Sequence, residues 1–282
     1  MRLSRSIGAT CATITALALA GCSSSTDPTS PTPAESVFGH VHGIALNPGD
    51  ERVYVASHNG VFRLDDQTAT LIADRAQDTM GFTIAGPDQF LASGHPAPGS
   101  TDPNPLGLIA SSDRAATWSP LSLEGTSDFH SIDTAGNTIY AYGSDGQIMS
   151  SGDGGQTWSI LLRGQFIDIA ADPTDPENLL ITTQTGELIA VRPGEEPAAV
   201  VAAPPMVLVD RTPEGEVVGV DPSGSVVTSR DGGSTWQQAG SLDSRPEALS
   251  VRSDTWFAAT EKGLFTSTDD GATWQPLPVE SA

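Results

Sequence analysis

The sequence predicts an all-β fold, a six-bladed β-propeller, from three observations. One eight-residue pattern, S-x-D-x-G-x-T-W, occurs four times. Its copies recur at about 40 residues or twice that distance, which is the period of a four-stranded propeller blade. Between the copies, short β-branched and aromatic runs are bounded by Gly, Asn, Asp and Pro, and no window has a sustained helical period.

The first element along the chain is a predicted signal peptide, residues 1–22. It combines Arg2 and Arg5, an apolar stretch too short to remain as a membrane span, and the tetrapeptide LAGC ending at Cys22. LAGC resembles the lipobox of bacterial lipoproteins, and this resemblance implies cleavage before Cys22 and acylation of its sulfur. We therefore expect an extracytoplasmic protein that is lipid-anchored to the bacterial cell membrane. Secretion without an anchor is the alternative.

The next element, residues 23–36, is rich in Ser, Thr and Pro and predicts an extended linker between the lipid and a folded domain at 37–282. Cys11 belongs to the signal peptide and Cys22 to the anchor, so the domain has no disulfide. The chain carries 35 acidic and 13 basic residues, a formal net charge of −22. This charge repels nucleic acid, so we expect no nucleic-acid partner. We expect a monomer.

The four repeats set the number of blades. Their first residues are Ser111, Ser151, Ser229 and Ser267, and their aspartates are Asp113, Asp153, Asp231 and Asp269. The aspartates are 40, 78 and 38 residues apart, so one unit near Arg192 has lost the signature. A degenerate copy near Asp66 completes six units, with seven blades as the alternative. The chain begins at an inner strand and ends at an outer one, so we expect no shared blade.

Each repeat has the composition of a tight turn. A short carboxylate accepts hydrogen bonds from backbone N–H groups, Gly allows positive φ, and Trp packs between sheets. The first copy departs from the pattern with Ala115 in place of Gly. The tryptophans of the four copies are Trp118, Trp158, Trp236 and Trp274.

These repeats resemble the Asp-box, or BNR repeat, of sialidases, sortilin-type receptors and related propellers. The chain as a whole resembles exported bacterial BNR-repeat proteins that are named glycosyl hydrolases. The resemblance implies that the Asp-box aspartates and tryptophans are structural and lie away from the ligand face. It does not extend to sialidase activity, because the F/Y-R-I-P arginine motif is absent and Tyr54 and Tyr140 fall within predicted strands.

The histidines are distributed unevenly. All five lie before residue 131, at positions His40, His42, His58, His95 and His130. We expect the inner strands to begin near His42, Met80, His130, Ile167, Val207 and Glu247. The connection at residues 93–107 is far longer than its counterparts, and such connections are usually functional, which predicts a lid. We therefore expect the five histidines to form a ligand-binding sector at one mouth of the channel.

Imidazole is the commonest ligand of transition metals, and thioether sulfur suits copper(I). One hypothesis for this sector is therefore a copper or zinc ion held by His42, His130 and Met80, although no cofactor is certain from the sequence. Recognition of a polar ligand without metal and purely structural histidines are the alternatives.

Three functions follow as hypotheses. The first is a surface-anchored propeller that binds a small ligand or metal ion at the histidines. The second is a glycoside hydrolase or lyase acting on extracellular or cell-wall carbohydrate, which needs two carboxyl groups across a cleft. Its candidates are Asp128 and Glu247, from a wider set that includes Asp78, Asp168 and Asp210. The third is a scaffold that binds a protein partner during assembly.

Overall fold

A computed structural model describes residues 37–281 of the chain. Within this range the protein is a six-bladed β-propeller, as the repeat predicts, with four antiparallel strands in each blade and a single 3-10 turn at Ile72–Asp74. The predicted signal peptide, the lipid anchor at Cys22 and the linker at 23–36 lie outside the described residues. Across residues 37–281, no helix has the length and apolar character that crossing a membrane requires.

The first three blades follow the chain from the innermost strand to the outermost. Blade 1 consists of β1 (Val41–Asn47), β2 (Arg52–Ser57), β3 (Gly60–Asp65) and β4 (Thr68–Leu71). Blade 2 consists of β5 (Asp78–Gly86), β6 (Gln89–His95), β7 (Leu108–Ser111) and β8 (Ser119–Ser122). Blade 3 consists of β9 (Phe129–Ala135), β10 (Thr138–Gly143), β11 (Gln147–Ser151) and β12 (Ser159–Arg163).

The other three blades repeat this order. Blade 4 consists of β13 (Phe166–Asp172), β14 (Asp175–Thr183), β15 (Leu188–Val191) and β16 (Ala198–Ala199). Blade 5 consists of β17 (Leu208–Arg211), β18 (Val217–Val220), β19 (Ser225–Ser229) and β20 (Gln237–Ser241). Blade 6 consists of β21 (Pro246–Val251), β22 (Trp256–Thr260), β23 (Gly263–Ser267) and β24 (Gln275–Leu277). The inner strands begin within two residues of the predicted positions.

The ring closes in a way that the sequence did not predict. A final two-residue strand, β25 (Glu280–Ser281), pairs in parallel with β4, so that the chain end joins the outer edge of blade 1. The expectation of no shared blade is therefore wrong. A strand of two residues is too short to produce an alternating pattern, and only the folded ring brings its backbone to β4.

Apolar side chains are buried between the blades. Six separate clusters of buried residues lie at the six interfaces, including the one between blades 6 and 1. At that closing interface, Phe38 and Phe62 of blade 1 are in one cluster with Phe257 of blade 6. Burial of a Phe side chain contributes about 1.5–3 kcal/mol. The ring is thus closed by side-chain packing as well as by β25.

The four S-x-D-x-G-x-T-W segments form the turns between the third and fourth strands of blades 2, 3, 5 and 6. In blade 3, the Ser151 hydroxyl donates to Asp153 Oδ1 at 2.8 Å and accepts from the N–H of Gly155 at 2.9 Å. Thr157 donates its N–H to Asp153 Oδ1 and its hydroxyl to Oδ2, at 2.9 and 2.6 Å. The same bonds recur in the other three copies.

These turns lie at the opposite end of the propeller from the start of the inner strands, because each blade reverses direction at every hairpin. Hydrogen bonds from the hydroxyl and N–H of Thr235 and from Ser229 lower the pKa of Asp231 to about 2. The aspartate carboxylate of this turn is therefore an ionised acceptor whose lone pairs are engaged within the turn. The four turns are distant from the end of the ring where the histidines lie.

Candidate functional site

A cavity of about 510 Å³ runs along the channel that the inner strands enclose. Each inner strand contacts the inner strands of the blades on both sides, and β21 contacts β1. The histidine end of the channel is the end where the inner strands begin. His40, His42 and His130 line the cavity there, together with Met80 and Glu247.

A β-bulge near the start of the inner strand recurs in five of the six blades. In blade 1, Val41 pairs with Ser57 and Gly43 with Ala56, so His42 is the extra residue. A bulge bends the strand and re-aims the side chain of the extra residue, and bulges are frequent beside functional sites. The five extra residues are His42, Met80, His130, Ile167 and Glu247, and all five line the channel cavity.

Three histidines of blade 1 form a compact group. His40 precedes β1, His42 is the bulged residue of β1, and His58 follows β2. The ring centroid of His42 is 4.7 Å from that of His40 and 4.7 Å from that of His58. One ligand nitrogen from each ring lies within 4.8 Å of the other two. We call His40, His42 and His58 the histidine triad.

The backbone holds the triad together. The N–H of His58 donates to the carbonyl of His40 at 3.1 Å, and the N–H of Val41 donates to the Glu247 carboxylate at 3.1 Å. The segment before β1 is thereby fixed to blade 1 on one side and blade 6 on the other. Gly39 adopts a φ of 66°, which allows the chain to turn before His40.

His42 is the most enclosed member of the triad, with a side chain that is 12% exposed. Burial and the charges of His40, His58 and His130 together lower its pKa to about 3, against the opposing charge of Asp128. The ring is therefore neutral at pH 7. Its Nε2 atom is withdrawn from solvent and has no hydrogen-bond partner. A neutral imidazole nitrogen without a partner is the form that coordinates a metal.

Two carboxylates stand close to the triad without hydrogen-bonding to it. Asp78 Oδ1 lies 3.9 Å from Nε2 of His42, and Glu247 Oε1 lies 3.8 Å from Nε2 of His40. Because His42 is neutral at pH 7, its approach to Asp78 is not an ion pair there. A cation between the rings would be attracted by both carboxylates.

The other two histidines form a second group around Asp128. His130 Nε2 is 2.9 Å and His95 Nε2 is 3.6 Å from Asp128 Oδ2. Burial opposes ionisation of Asp128, but the hydrogen bond and charge of His130 and the charge of His95 outweigh it and lower the pKa of Asp128. On its other side, His95 Nδ1 is 2.7 Å from the Asn104 side-chain oxygen.

The long connection between β6 and β7 supplies Asn104. Its far end is fixed, because Leu106 is buried among blades 1 and 2 and donates its N–H to the carbonyl of Gly94 at 2.8 Å. Asp102 lies 3.5 Å from the guanidinium of Arg75. This connection therefore supports His95 from a fixed position.

Three further channel carboxylates join neighbouring blades. Asp133, Asp168 and Asp210 each accept an N–H from the inner strand of the next blade, that of Ala171, Val209 and Val251 respectively. Burial raises the pKa of Asp168 to about 6, and burial together with the charges of Asp133 and Asp168 raises the pKa of Asp210 to about 8. Both oxygens of each carboxylate are hydrogen-bonded within the protein. Asp168 and Asp210 thus fasten blades together.

Sequence reasoning identified the five histidines, Asp128 and Glu247, and the structure places all seven at one end of the channel. It divides the histidines into a triad and a second group. Of the predicted metal ligands His42, His130 and Met80, only His42 belongs to the triad, while the other two line the same channel. The role of Asn104 was missed, because a single Asn in a polar loop carries no pattern.

No protein-family model and no curated protein sequence matches this chain. Solved structures do. A gluconolactonase from Xanthomonas campestris superposes with a TM-score of 0.65 at 10% identity, covering 82% of this chain and 87% of that one. A chain of a nidogen/laminin complex superposes with a TM-score of 0.61 at 12% identity, covering 79% of this chain and 91% of that one.

A GH74 enzyme from Niastella koreensis superposes with a TM-score of 0.58 at 16% identity. The match covers 84% of this chain and 45% of the enzyme. At such low identities the likeness shows the propeller fold alone, since one fold carries many unrelated functions. Function has to be argued from the site.

Proposed function

We propose that this protein is an extracytoplasmic, lipid-anchored propeller that binds a copper or zinc ion at the histidine triad. The observation that carries the proposal is the convergence of His40, His42 and His58, whose ligand nitrogens lie within 4.8 Å of one another. Three imidazoles would supply the protein ligands of a tetrahedral zinc site whose fourth position is open to a small ligand.

The geometry needs only small adjustments. Nitrogens that are each 2.0–2.1 Å from a tetrahedral ion are about 3.4 Å apart. Rotation of the exposed rings of His40 and His58 shortens the present separations toward that value, while His42 is held in the channel wall. Since affinity for nitrogen ligands is higher for copper(II) than for zinc, copper is the tighter ion.

Electrostatics supports a cation at this position. The chain carries a formal net charge of −22. The carboxylates of Asp78 and Glu247 lie beside the triad, at 3.9 and 3.8 Å from its nitrogens. A divalent ion would therefore enter a negative field, which raises both its local concentration and its association rate.

A metal titration tests the proposal. The full-length chain in detergent, first stripped with EDTA, is titrated with zinc(II) and with copper(II) by calorimetry. We expect His42→Ala and His58→Ala to weaken binding at the triad by at least about 100-fold, because two imidazoles bind far less tightly than three. Met80→Leu, at the same level of the channel, is the matched control and leaves zinc affinity unchanged. Equal zinc affinity in wild type and both histidine variants would refute the triad.

The anchor rests on LAGC at the end of the predicted signal peptide. We expect metabolic labelling with a palmitate analogue to mark the wild-type chain in the bacterial membrane fraction. Cys22→Ser removes the only acceptor sulfur at the cleavage site, so it abolishes the label. A labelled Cys22→Ser chain would refute lipidation at Cys22.

A glycoside hydrolase or lyase activity is the second candidate function. Its support is that Asp128 and Glu247 lie at the same mouth of the channel. The lowered pKa of Asp128 keeps it ionised, which suits a base or nucleophile, so Glu247 would be the acid. Turnover of aryl glycosides or polysaccharides that Asp128→Asn and Glu247→Gln both abolish would support this function. The assembly scaffold stays a prediction.

A further inference from the structure

We propose that His95, Asp128 and His130 form a second divalent-metal site, so that the channel mouth holds two ions. This site uses none of the residues of the histidine triad. It therefore goes beyond the proposed function, and the two can succeed or fail separately.

Both imidazole rings face the same oxygen of Asp128, and His130 hydrogen-bonds to it. Nε2 of His130 and Nε2 of His95 lie 2.9 and 3.6 Å from the same oxygen of Asp128, Oδ2. Two segments supply these three side chains: His95 ends β6, while Asp128 and His130 lie on either side of the first residue of β9. Two imidazoles and one carboxylate are an established donor set for zinc(II) and for iron(II), with further positions open to water or ligand.

The hydrogen bond to Asn104 determines which nitrogen of His95 is free. The Asn104 side-chain oxygen accepts hydrogen bonds only, so His95 Nδ1 carries the proton that it donates across 2.7 Å. In the neutral ring, Nε2 then carries a lone pair and faces the carboxylate oxygen of Asp128. A metal ion between these two atoms would be attracted by both, and the 3.6 Å between them leaves no direct hydrogen bond for it to break.

This arrangement is the one that supports histidine ligands in metalloproteins. A metal-bound imidazole usually donates its other N–H to an oxygen acceptor, which fixes both its tautomer and its orientation. Asn104 plays that part for His95, and it is itself held because Leu106 and Gly94 close the base of the loop. The 96–107 connection is long enough to place the Asn104 side-chain oxygen, a hydrogen-bond acceptor, behind His95.

Asp128 is positioned equally firmly by its backbone. Its carbonyl accepts the N–H of Ser144 at 2.8 Å, and the next residue, Phe129, donates its N–H to the Ser93 hydroxyl at 3.0 Å. The Asp128 side chain is 12% exposed, whereas those of His95 and His130 are 40% and 38% exposed. The carboxylate is therefore the fixed ligand, and the two rings can close on an ion that enters from solvent.

Zinc stoichiometry of the full-length chain tests the second site. After removal of metal with EDTA, zinc(II) is added in excess, the unbound ion is removed, and bound zinc is measured by elemental analysis. We expect two ions per chain in wild type, one in His95→Ala or Asp128→Asn, one in His42→Ala, and none when His42→Ala and Asp128→Asn are combined. Far-ultraviolet circular dichroism checks that each variant is folded.

A milder variant separates positioning from folding. Asn104→Leu leaves all three ligands in place and removes only the acceptor behind His95, so we expect zinc to bind the second site about 10- to 100-fold more weakly, with triad affinity unchanged. If wild type binds one ion that only triad variants remove, the second site is refuted and the triad stands. If only His95→Ala and Asp128→Asn remove the single ion, the triad is refuted. If no zinc binds, both are refuted.

Discussion

At the residue scale, the turn between β11 and β12 of blade 3 contains two consecutive glycines whose roles differ. Gly154 and Gly155 both have positive φ, 78° and 86°. A Cβ on Gly154 would have no atom within 4 Å, whereas one on Gly155 would lie 2.4 Å from a methyl of fully buried Leu108. In blade 2 the equivalent position is Ala115, buried with a φ of 66°, so that copy accommodates a methyl group.

We therefore predict different costs for alanine at the two positions. Gly154→Ala requires only an unfavourable backbone conformation and lowers the free energy of unfolding by about 1 kcal/mol. Gly155→Ala adds overpacking against Leu108, for a total of about 3 kcal/mol. Chemical denaturation of both variants measures the difference. Equal losses would show that Leu108 moves aside freely and that steric contact does not explain this glycine.

At the element scale, the inner strands share two structural features, a β-bulge near the start and carboxylates that hydrogen-bond to the next blade. A bulge near the start of five strands turns one side chain into the channel mouth, and those residues include two of the five histidines. Deeper in the channel, Asp133, Asp168 and Asp210 bond to the backbone of the next blade. One end of each inner strand thus presents functional groups, and the deeper part holds neighbouring blades together.

The raised pKa of Asp210, about 8, makes stability depend on pH. The unfolded chain releases this proton near pH 4, while the folded protein keeps it to about pH 8. The folded state therefore binds more protons over that range, and the free energy of unfolding falls as pH rises through it. We predict that Asp210→Asn, which cannot ionise, makes the fall in unfolding temperature between pH 5 and pH 8 shallower.

The same variant loses one of the two backbone hydrogen bonds of Asp210, so it is less stable than wild type at pH 5. The slope with pH, rather than the absolute value, is therefore the readout. Asp254→Asn changes an exposed carboxylate of blade 6 and serves as the control, with an unchanged slope. If both variants keep the wild-type slope, burial of Asp210 does not govern the pH dependence.

At the scale of the whole molecule, the propeller is a closed ring with six equivalent apolar interfaces. The interface between blades 6 and 1 brings the two ends of the folded chain together. It has a cluster of buried residues like the other five, and in addition the backbone pairing of β25 with β4. Side-chain packing involves many more atoms than this two-residue pairing.

We therefore predict that packing contributes most of the closure. Phe257→Ala, at the closing interface, should lower the free energy of unfolding by about 3–5 kcal/mol, and Phe90→Ala, between blades 1 and 2, by a similar amount. Deletion of residues 280–282 removes β25 and should cost about 1 kcal/mol, the value of one or two backbone hydrogen bonds. A deletion that costs more than Phe257→Ala would contradict this ranking.

Much of the fold could be predicted because its signals are local. The spacing of Asp113, Asp153, Asp231 and Asp269 determined the blade length, and short β-branched runs determined the strands. The positions of the inner strands followed within two residues. The closing strand β25 could not be predicted, because two residues have no periodicity.

The candidate site was predictable only as a list of residues. The sequence showed that five histidines lie in its first half, and a ring fold implied that they share one sector. Their division into a triad and an Asp128-centred group depends on bulges and on the course of the 96–107 loop. Both features involve a shift of a single residue or a single loop contact, which leave no pattern in the sequence.

By itself, then, the sequence determined the repeat, the strand type and which metal-binding side chains are present, because each of these depends only on short-range spacing and composition. Only the tertiary structure decided which of those side chains meet, since residues such as His95 and Asp128 are far apart along the chain and approach one another only when neighbouring blades pack. The proposed chemistry belongs to these long-range contacts, whose geometry depends on the packing of whole blades.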